Sequence, residues 1–264
     1  MGTRFEVAIV TDAAADVRRT WASARAVDVR AVGESALREI EEWHQRLTRF
    51  ESDSWLSHVN RTAAHEPVRL DDEVFPLFAD AIDVWRDSSG AFDIARGDGD
   101  AIALDREART LRFLHDHVSL DLGAIGKGHA LDCAAARLRS HGVTRAFLQG
   151  GTSSGLAIGT PPDANAWRVG LASESGAATV EDVLELVDES FSLSDEASQP
   201  DVPFGRHIAD PRLKVTAPPS HTPRRVVVTG PSARLADAWS TALAVLGEVP
   251  STFPAGYRAR FLRK

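Results

Sequence analysis

The chain has 264 residues, 43% of them hydrophobic, and a formal net charge of -8. That length suffices for one large domain or two small ones with a sizeable apolar core. Acidic residues are spread along the chain and the basic clusters are short, at Arg224-Arg225 and Arg258–Lys264, so no nucleic-acid partner is expected. Cys133 is the single cysteine, which excludes an intramolecular disulfide and a cysteine-based zinc site.

The N-terminal sequence MGTRFEVAIV shows no targeting signal. It lacks a charged segment followed by an apolar segment and a cleavage site, so it does not predict a signal peptide. No apolar run in the sequence approaches the length of a membrane span. We therefore expect a cytoplasmic protein with no membrane span.

The first half of the chain combines strand patterns with amphipathic helix patterns. Alternating apolar residues predict a strand at Thr3–Thr11, and apolar residues at helical spacing predict helices over Val32–Thr48 and about Asp72–Ser88. The polar stretch LTRFESDSWLSHVNR between these helices predicts a turn and a short helix, and the sequence GAFD then ends the second long helix. Two short strands are expected on either side of Asp105-Arg106.

A glycine-rich turn follows, and it is the most informative stretch of the sequence. The run HVSLDLG predicts a strand over Val118–Leu122, and the Ala- and Leu-rich segment that ends at Ser140 predicts a helix. Between them lie three glycines and Lys127, in a turn that directs free backbone N–H groups outward at the positive end of a helix dipole. This pattern favours an anion site, usually for phosphate, in which Lys127 adds a charge and Asp121 accepts hydrogen bonds or helps to hold a cation.

The glycine spacing excludes two nucleotide-binding motifs. A P-loop has four residues between its first Gly and the Gly-Lys pair, whereas Ala124 and Ile125 alone separate Gly123 from Gly126. The dinucleotide fingerprint G-x-G-x-x-G appears here in the order G-x-x-G-x-G, so a Rossmann fold is not predicted. The alternative to an anion site is a structural corner whose backbone angles require glycine.

The second half of the chain is dominated by strands. Strands are predicted at Thr144–Gln149, Trp167–Leu171, Val183–Val187 and Arg224–Thr229, and an Ala- and Leu-rich helix at Ser232–Leu246. Residues 197–206 are predicted to be irregular. Because strands often follow strands directly, the pattern favours an α+β fold over a doubly wound one. No repeat or linker divides the chain.

Two polar groupings near the C-terminus are candidates for chemistry. Asp237, Ser240 and Thr241 are spaced i, i+3 and i+4, so their oxygen atoms share one helix face. A carboxylate with one or two hydroxyls suits Mg²⁺, which keeps several waters and binds substrate phosphate, and an ordinary polar helix face is the alternative. His207, in RHIADPR, is a candidate general base, and the alternative there is a turn that opens at Asp210 before proline.

Seven motifs in this order resemble those of the ApbE family, the FAD:protein FMN transferases. They are MGTRFEVAI, RFESDSWLSHVN, GAFDIARG, LDLGAIGKGHALD, QGGTSSGLAIG followed by AWRVGL, RHIADPR, and LADAWSTALAVLG. Together they extend over nearly the whole chain. The resemblance implies an α+β fold with a mostly antiparallel sheet and flanking helices, and it implies that residues 1–264 form a single flavin transferase domain.

Members of that family use FAD and Mg²⁺ and transfer FMN to a Thr or Ser hydroxyl of a target protein, with release of AMP. The resemblance therefore implies that the partners are FAD and an acceptor protein, and that His207 is the base that activates the acceptor hydroxyl. By motif position, the flavin site comprises Met1, Phe50, Ala91, Phe92, Asp93, Asp121, Lys127 and Ile208. The metal site comprises the carbonyl of Ala124 and the side chains of Asp237, Ser240 and Thr241.

Four departures from the family pattern bear on the activity. Thr152 stands where the family has Asp after Gly-Gly, His129 where it has Tyr, and Leu213-Lys214 where it has Thr-Gly. The family's T-S-G appears as Leu193-Ser194-Asp195, and an Asp in that loop is expected to disfavour an anionic ligand or to stiffen the loop. Two other functions therefore stand beside transfer: an FAD pyrophosphatase that yields FMN and AMP, and a flavin-binding protein without catalysis.

Overall fold

The computed structural model describes residues 4–11, 28–172, 180–195, 208, 210–213 and 224–262. The α-helices in these residues are α1 (Val29–Leu47), α2 (Trp55–Thr62), α3 (Phe75–Asp87), α4 (Gly126–Ser140) and α5 (Ala233–Leu246). The strands are β1 (Phe5–Ile9), β2 (Val68–Arg69), β3 (Ile102–Asp105), β4 (Thr110–Phe113), β5 (Ala146–Gly150), β6 (Ser154–Ile158), β7 (Trp167–Ala172), β8 (Val180–Leu186), β9 (Ser190–Asp195), β10 (Arg225–Gly230) and β11 (Arg258–Leu262).

A six-stranded sheet organises these elements. Its strands lie in the order β1-β5-β6-β9-β10-β11, and every neighbouring pair is antiparallel. A sheet of β2, β4 and β3 and a hairpin of β7 and β8 are separate from it. Helix α4 packs against β5 and β6, and α5 packs against β9 and β10. The predicted α+β fold with a mostly antiparallel sheet and flanking helices is confirmed.

The two faces of the main sheet carry different apolar clusters. One face packs with the helices into the large core, and the other packs against β7 and β8 in a smaller cluster. Strand β9 is therefore covered on both sides. Phe191 and Leu193 face the smaller cluster, while Ser190, Ser192 and Ser194 face the helices.

Most of the predicted elements are present. The helices predicted over Val32–Thr48, Asp72–Ser88 and Ser232–Leu246 are confirmed as α1, α3 and α5, with ends shifted by a few residues. The helix after the glycine turn is α4, and the short helix before α3 is α2. Residues 197–206, predicted to be irregular, lie outside the described residues. None of the described helices combines the length and the apolar composition that a membrane crossing requires.

The prediction of a strand over Val118–Leu122 is wrong. The apolar residues of this segment are buried, but its backbone pairs with no neighbouring strand among the described residues. The Leu120 N–H donates to Oδ1 of Asn60 (2.8 Å), and the Leu120 carbonyl accepts from Nδ2 of the same side chain (3.2 Å). The next N–H, of Asp121, donates to the carbonyl of Ile94 (2.7 Å). A side chain and a loop thus satisfy backbone groups that a sheet would otherwise satisfy.

Strands β6, β9 and β11 are present although the sequence pattern does not predict them. Three of the six residues of β9 are serines, a composition more typical of turns. Strand β11 carries Arg258 and Arg260, which suggest a solvated tail from sequence alone. It is one of the two edge strands of the main sheet, where exposed charged side chains are common because they discourage pairing with another chain.

Candidate functional site

Helix α4 begins at the glycine turn without a side-chain cap of its own. Its N-cap residue, Ile125, has no side-chain acceptor for the free N–H groups of the first turn. The N–H of Gly128 instead donates to Oδ2 of Asp237 on α5, over 3.1 Å. The anion at this helix N-terminus is therefore a carboxylate of the chain itself.

Helix α5 is capped in return by a carboxylate of α4. Asp132 accepts hydrogen bonds from the N–H groups of Ala233 (2.8 Å) and Arg234 (3.1 Å) and from the hydroxyl of Ser232 (2.7 Å). The two helices thus cap each other, and each carboxylate lies at the positive end of the partner's dipole.

The close approach of these helices depends on Gly128. A Cβ atom at this position would lie 2.1 Å from the carbonyl oxygen of Ala233 and 2.7 Å from Cα of Arg234. Because these are backbone atoms, a larger residue would push the two helices apart. The third glycine of the turn therefore has the structural role that the alternative interpretation assigns to it.

Asp237 also has side-chain partners. The ammonium of Lys127 lies 3.3 Å from Oδ1, and the hydroxyl of Ser192 donates to the same oxygen over 3.0 Å. Asp237 is 3% exposed, so this ion pair is largely removed from water. Such a buried pair requires additional hydrogen bonds to offset desolvation, and Ser192 and Gly128 provide them. The fold thus brings two predicted site residues together that are far apart in sequence.

Three further hydroxyls, of Ser194, Ser240 and Thr241, adjoin Asp237 and are called the hydroxyl cluster below. Ser194 Oγ lies 2.8 Å from Ser240 Oγ and 3.4 Å from Thr241 Oγ1. Ser240 and Thr241 both donate to the backbone carbonyl of Asp237, over 3.0 and 3.3 Å, so these three predicted metal ligands do share a helix face. Ser240 is fully buried and Thr241 half-buried, which makes Thr241 the more accessible hydroxyl.

The donor chemistry of this region fits a hard cation. A carboxylate, neighbouring hydroxyls and the Ala124 carbonyl, two residues before α4, are the oxygen donors that Mg²⁺ accepts while it retains water ligands. In the described part of the chain, no three or more His, Cys, Asp or Glu side chains gather in a way suited to a metal. A site with several protein carboxylates is therefore not available there, and a cation would depend on Asp237 and on substrate phosphate.

Residues 91–93 form a tight loop after α3. The side chains of Ala91 and Phe92 are buried, so that a ligand can meet this stretch through its backbone and not through the Phe92 ring. Asp93 accepts hydrogen bonds from three later backbone N–H groups, over 2.7, 2.8 and 3.1 Å. Burial raises the pKa of Asp93, and these N–H groups oppose that shift. The GAFD motif thus shapes the loop through its carboxylate.

Asp121 joins this loop to an exposed aromatic ring. Its carboxylate accepts from the N–H of Gly123 (3.0 Å) and forms an ion pair with Arg49 (2.9 Å), and its own N–H donates to Ile94 in the loop after α3. The Arg49 guanidinium lies 4.6 Å from the centre of the Phe50 ring. Phe50 is 77% exposed, so its ring offers free apolar surface beside Asp121.

The RHIADPR motif adjoins the same loop. Ile208 is half-buried against the main core. A Cβ atom on Gly97 would lie 2.9 Å from the carbonyl oxygen of Pro211, which places the end of the motif against the loop after α3. Two predicted site residues, Met1 and His207, lie outside the described residues.

Two departures from the family pattern have a structural context. Asp195 pairs with Arg225 at 3.2 Å, and strand alternation directs it to the side of the sheet opposite Ser194. Its charge is therefore balanced away from the hydroxyl cluster. Thr152 is exposed in the turn between β5 and β6, and Lys214 lies outside the described residues.

Sequence reasoning did not place Ser192 or Arg49 in the site. The signal for Ser192 is the alternation S-F-S-L-S of residues 190–194, which in a strand directs three hydroxyls to one face. No local signal connects Arg49 with Asp121, because the two residues meet only through the tertiary fold.

The fold and this site define the class of the protein, an ApbE-type α+β fold. The ApbE protein of Thermotoga maritima superimposes with a TM-score of 0.73 at 21% identity, over 85% of this chain and 82% of that one. The flavin transferase ApbE of Vibrio cholerae gives 0.76 at 21% identity, over 93% and 84%. At this identity the likeness concerns the fold.

The chain belongs to the ApbE family, whose sequence profile matches residues 1–98 and 96–252. The FAD:protein FMN transferase of Treponema pallidum (strain Nichols) is 27% identical over 274 residues, covering 87% of this chain and 75% of the relative. That of Vibrio cholerae (strain O395) is 24% identical over 244 residues, covering 80% and 72%.

Proposed function

We propose that this protein is a Mg²⁺-dependent FAD:protein FMN transferase, which moves FMN from FAD to a Thr or Ser hydroxyl of an acceptor protein and releases AMP. Its family and the names of its curated relatives support the transfer. The observation that carries the proposal is the convergence of Lys127, Asp237 and the hydroxyl cluster at the N-terminus of α4. These groups suit a cation and a pyrophosphate together.

We also propose that residues 1–264 act as one domain. The main core supports this, because it draws on helices and strands from Val32 to Ala244 without a division.

The residues of this chain divide the work of binding FAD. The side chains of Asp237 and Thr241 and the carbonyl of Ala124 would hold the cation. The fully buried Ser240 would support them from within the hydroxyl cluster. When bound, Mg²⁺ supplies charge neutralisation on the pyrophosphate and on the AMP leaving group. Lys127 would add a charged hydrogen bond to a phosphate oxygen.

The flavin would lie at the other end of the site. The exposed ring of Phe50 offers it apolar surface, and Asp121, Ile208 and the backbone of the Ala91–Asp93 loop surround the same region. We propose that these residues orient the flavin while the pyrophosphate extends towards α4.

His207 is the proposed base, on the strength of the RHIADPR motif. It accepts the proton of the acceptor hydroxyl as that oxygen attacks the phosphorus of the FMN half. The new bond joins the acceptor oxygen to phosphorus, the pyrophosphate P–O bond breaks, and AMP leaves with the bridging oxygen. We expect His207→Ala to retain FAD binding and to lose transfer.

The test is to incubate the protein with FAD and Mg²⁺, with and without an acceptor domain that carries a Thr motif. We expect an FMN-sized mass gain on the acceptor and an equal amount of AMP, and we expect both to stop with EDTA. Asp237→Asn should lower the rate about 10²–10³-fold, as is usual when one charge-stabilising group is removed. Asp83→Asn is the control. The Asp83 carboxylate lies on α3 and pairs with Arg86 and Arg106, so its replacement should leave the rate unchanged.

Two other results would contradict transfer. AMP release without a mass gain on the acceptor would identify an FAD pyrophosphatase. FAD binding with neither product, under conditions in which an authentic transferase works, would identify a flavin-binding protein without catalysis.

A further inference from the structure

Strand β9 directs three side chains towards α5: Ser190, Ser192 and Ser194. They are buried, with exposed fractions of 0%, 1% and 8%. A hydroxyl buried without a partner is costly, so each of these serines is expected to have a specific one.

The partners of the three serines differ in kind. Ser190 donates to the carbonyl of Gly230 over 2.8 Å. Ser192 donates to Oδ1 of Asp237 over 3.0 Å, and Ser194 bonds within the hydroxyl cluster. Of the three, Ser192 is the one whose hydroxyl bonds to the carboxylate of the proposed cation site.

The hydroxyl protons give this arrangement a direction. An ionised carboxylate can only accept, so the single proton of Ser192 points to Asp237. The Oγ of Ser240 lies 3.2 Å from that of Ser192 and 3.0 Å from the backbone carbonyl oxygen of Asp237, and its single proton is shared between these two acceptors. Ser192 thus donates its proton to the Asp237 carboxylate while its oxygen adjoins Ser240, so it links the orientation of the carboxylate to the hydroxyl cluster.

We infer that Ser192 is a positioning residue that holds the Asp237 carboxylate in its orientation for a divalent cation. The inference rests on the proposed function, since it takes Asp237 to be the residue that holds the cation. Hydrogen-bond partners behind a metal ligand fix its rotation, and their loss commonly lowers metal affinity roughly 10–100-fold. We expect a loss of that order when the Ser192 hydroxyl is removed.

Mn²⁺ is the probe, because electron paramagnetic resonance measures its free concentration directly. It is titrated into the purified protein alone and with FAD, against a blank of FAD without protein. Ser192→Ala should weaken Mn²⁺ binding about tenfold or more. Ser190→Ala is the matched control: it removes one bonded, buried hydroxyl from the same face of the same strand, so it should lose similar stability but bind Mn²⁺ like the wild type.

Each outcome decides a separate point. Equal Mn²⁺ affinities for Ser192→Ala and Ser190→Ala would overturn the inference and leave the proposed function standing, provided that Asp237→Asn weakens binding. A wild type that binds no Mn²⁺, or an Asp237→Asn variant that binds it equally well, would overturn the metal role of Asp237 and the inference with it.

A second variant covers the case in which Ser192→Ala does not fold. Ser192→Cys has nearly the same size and replaces the hydroxyl with a weak donor. It should show the same weakened Mn²⁺ binding, and an affinity equal to that of the wild type would overturn the inference.

Discussion

Two carboxylates, Asp132 on α4 and Asp237 on α5, hold corresponding positions in the helix pair but have different surroundings. Each accepts a hydrogen bond from the backbone at the start of the other helix. In the described part of the chain, the donors to Asp132 all come from the N-cap and first turn of α5. Among the described residues, Asp237 receives one backbone N–H, and its other donors are the side chains of Lys127 and Ser192.

This difference separates a structural carboxylate from one that is suited to a ligand. Backbone donors are fixed, so Asp132 cannot exchange them without unwinding the start of α5. Side-chain donors can rotate, so Asp237 can share its oxygens with a cation and remain bonded to Gly128. Burial raises the pKa of Asp132, and its three donors oppose that shift by stabilising the charged form.

The surroundings of Asp132 continue into a closed polar network. Arg234 donates to Nδ1 of His129 over 3.2 Å and pairs with Asp80 at 2.6 Å. Because a guanidinium can only donate, Nδ1 of His129 must accept, which requires a neutral ring. Burial, reinforced by the positive charges of Arg234 and Arg46, lowers the pKa of His129 to about 3.

The largest effect on stability is expected at Asp132. Asp132→Ala would leave two backbone N–H groups and a hydroxyl without their acceptor in a buried place, so we expect a loss of about 3 kcal/mol in the free energy of unfolding. Denaturant unfolding measures it. The transferase rate of the folded protein should stay close to that of the wild type.

The control for this prediction is Asp83→Ala. Asp83 has two arginine partners, but it is partly exposed, and ion pairs of that kind contribute less than about 1 kcal/mol. A loss at Asp132 no larger than at Asp83 would break the comparison. So would a fall in transferase rate as deep as that of Asp237→Asn.

A smaller effect is expected from His129 in acid. Its pKa in the folded protein lies below the ordinary value of 6.5, so its contribution to stability is complete above pH 6.5 and is lost as the pH falls towards 3. At about 1.4 kcal/mol per pH unit, this amounts to about 2 kcal/mol between pH 7 and pH 5. In His129→Gln, whose side chain does not titrate, unfolding curves at the two pH values should show that much less change.

His117→Gln is the matched control for this pH dependence. The His117 side chain is 85% exposed, so its replacement should leave the change between pH 7 and pH 5 as it is in the wild type. If His129→Gln kept the full change as well, the buried, neutral His129 ring would not be the source of it.

The local parts of this comparison could be predicted from sequence, and the long-range parts could not. The spacing of Asp237, Ser240 and Thr241 predicts a shared helix face, because helical period is a local property, and the structure confirms it. The glycine turn likewise predicts a helix start. That the anion at this start is Asp237 depends on how α4 and α5 pack, and no spacing within either helix contains that information.

A strand prediction failed where apolar residues are buried but their backbone does not pair with another of the described strands. Val118–Leu122 has the apolar content of a strand, but Asn60 satisfies the backbone of Leu120 from a distant helix. Strand β9 shows the converse, since serines occupy its helix-facing positions where apolar residues are the usual choice. A strand whose inward face serves a polar site departs from the pattern that sequence reasoning looks for.

The smallest effect on stability is expected at Ser154, near Asp237, and it tests the comparison between the surroundings of the two carboxylates. Ser154 on β6 lies directly opposite Ser192 on β9, so the two side chains share a face of the sheet. Its hydroxyl is buried and has no hydrogen-bond partner among the described residues. Removing an unpaired buried hydroxyl removes its desolvation cost, so Ser154→Ala should raise the free energy of unfolding by about 1 kcal/mol. Ser190→Ala, which breaks the bond to Gly230, should lower it by a similar amount. If both variants lowered the free energy of unfolding, the Ser154 hydroxyl would have a hydrogen-bond partner, as the donors around Asp132 do. An unpaired buried hydroxyl would then no longer distinguish the surroundings of Asp237 from those of Asp132.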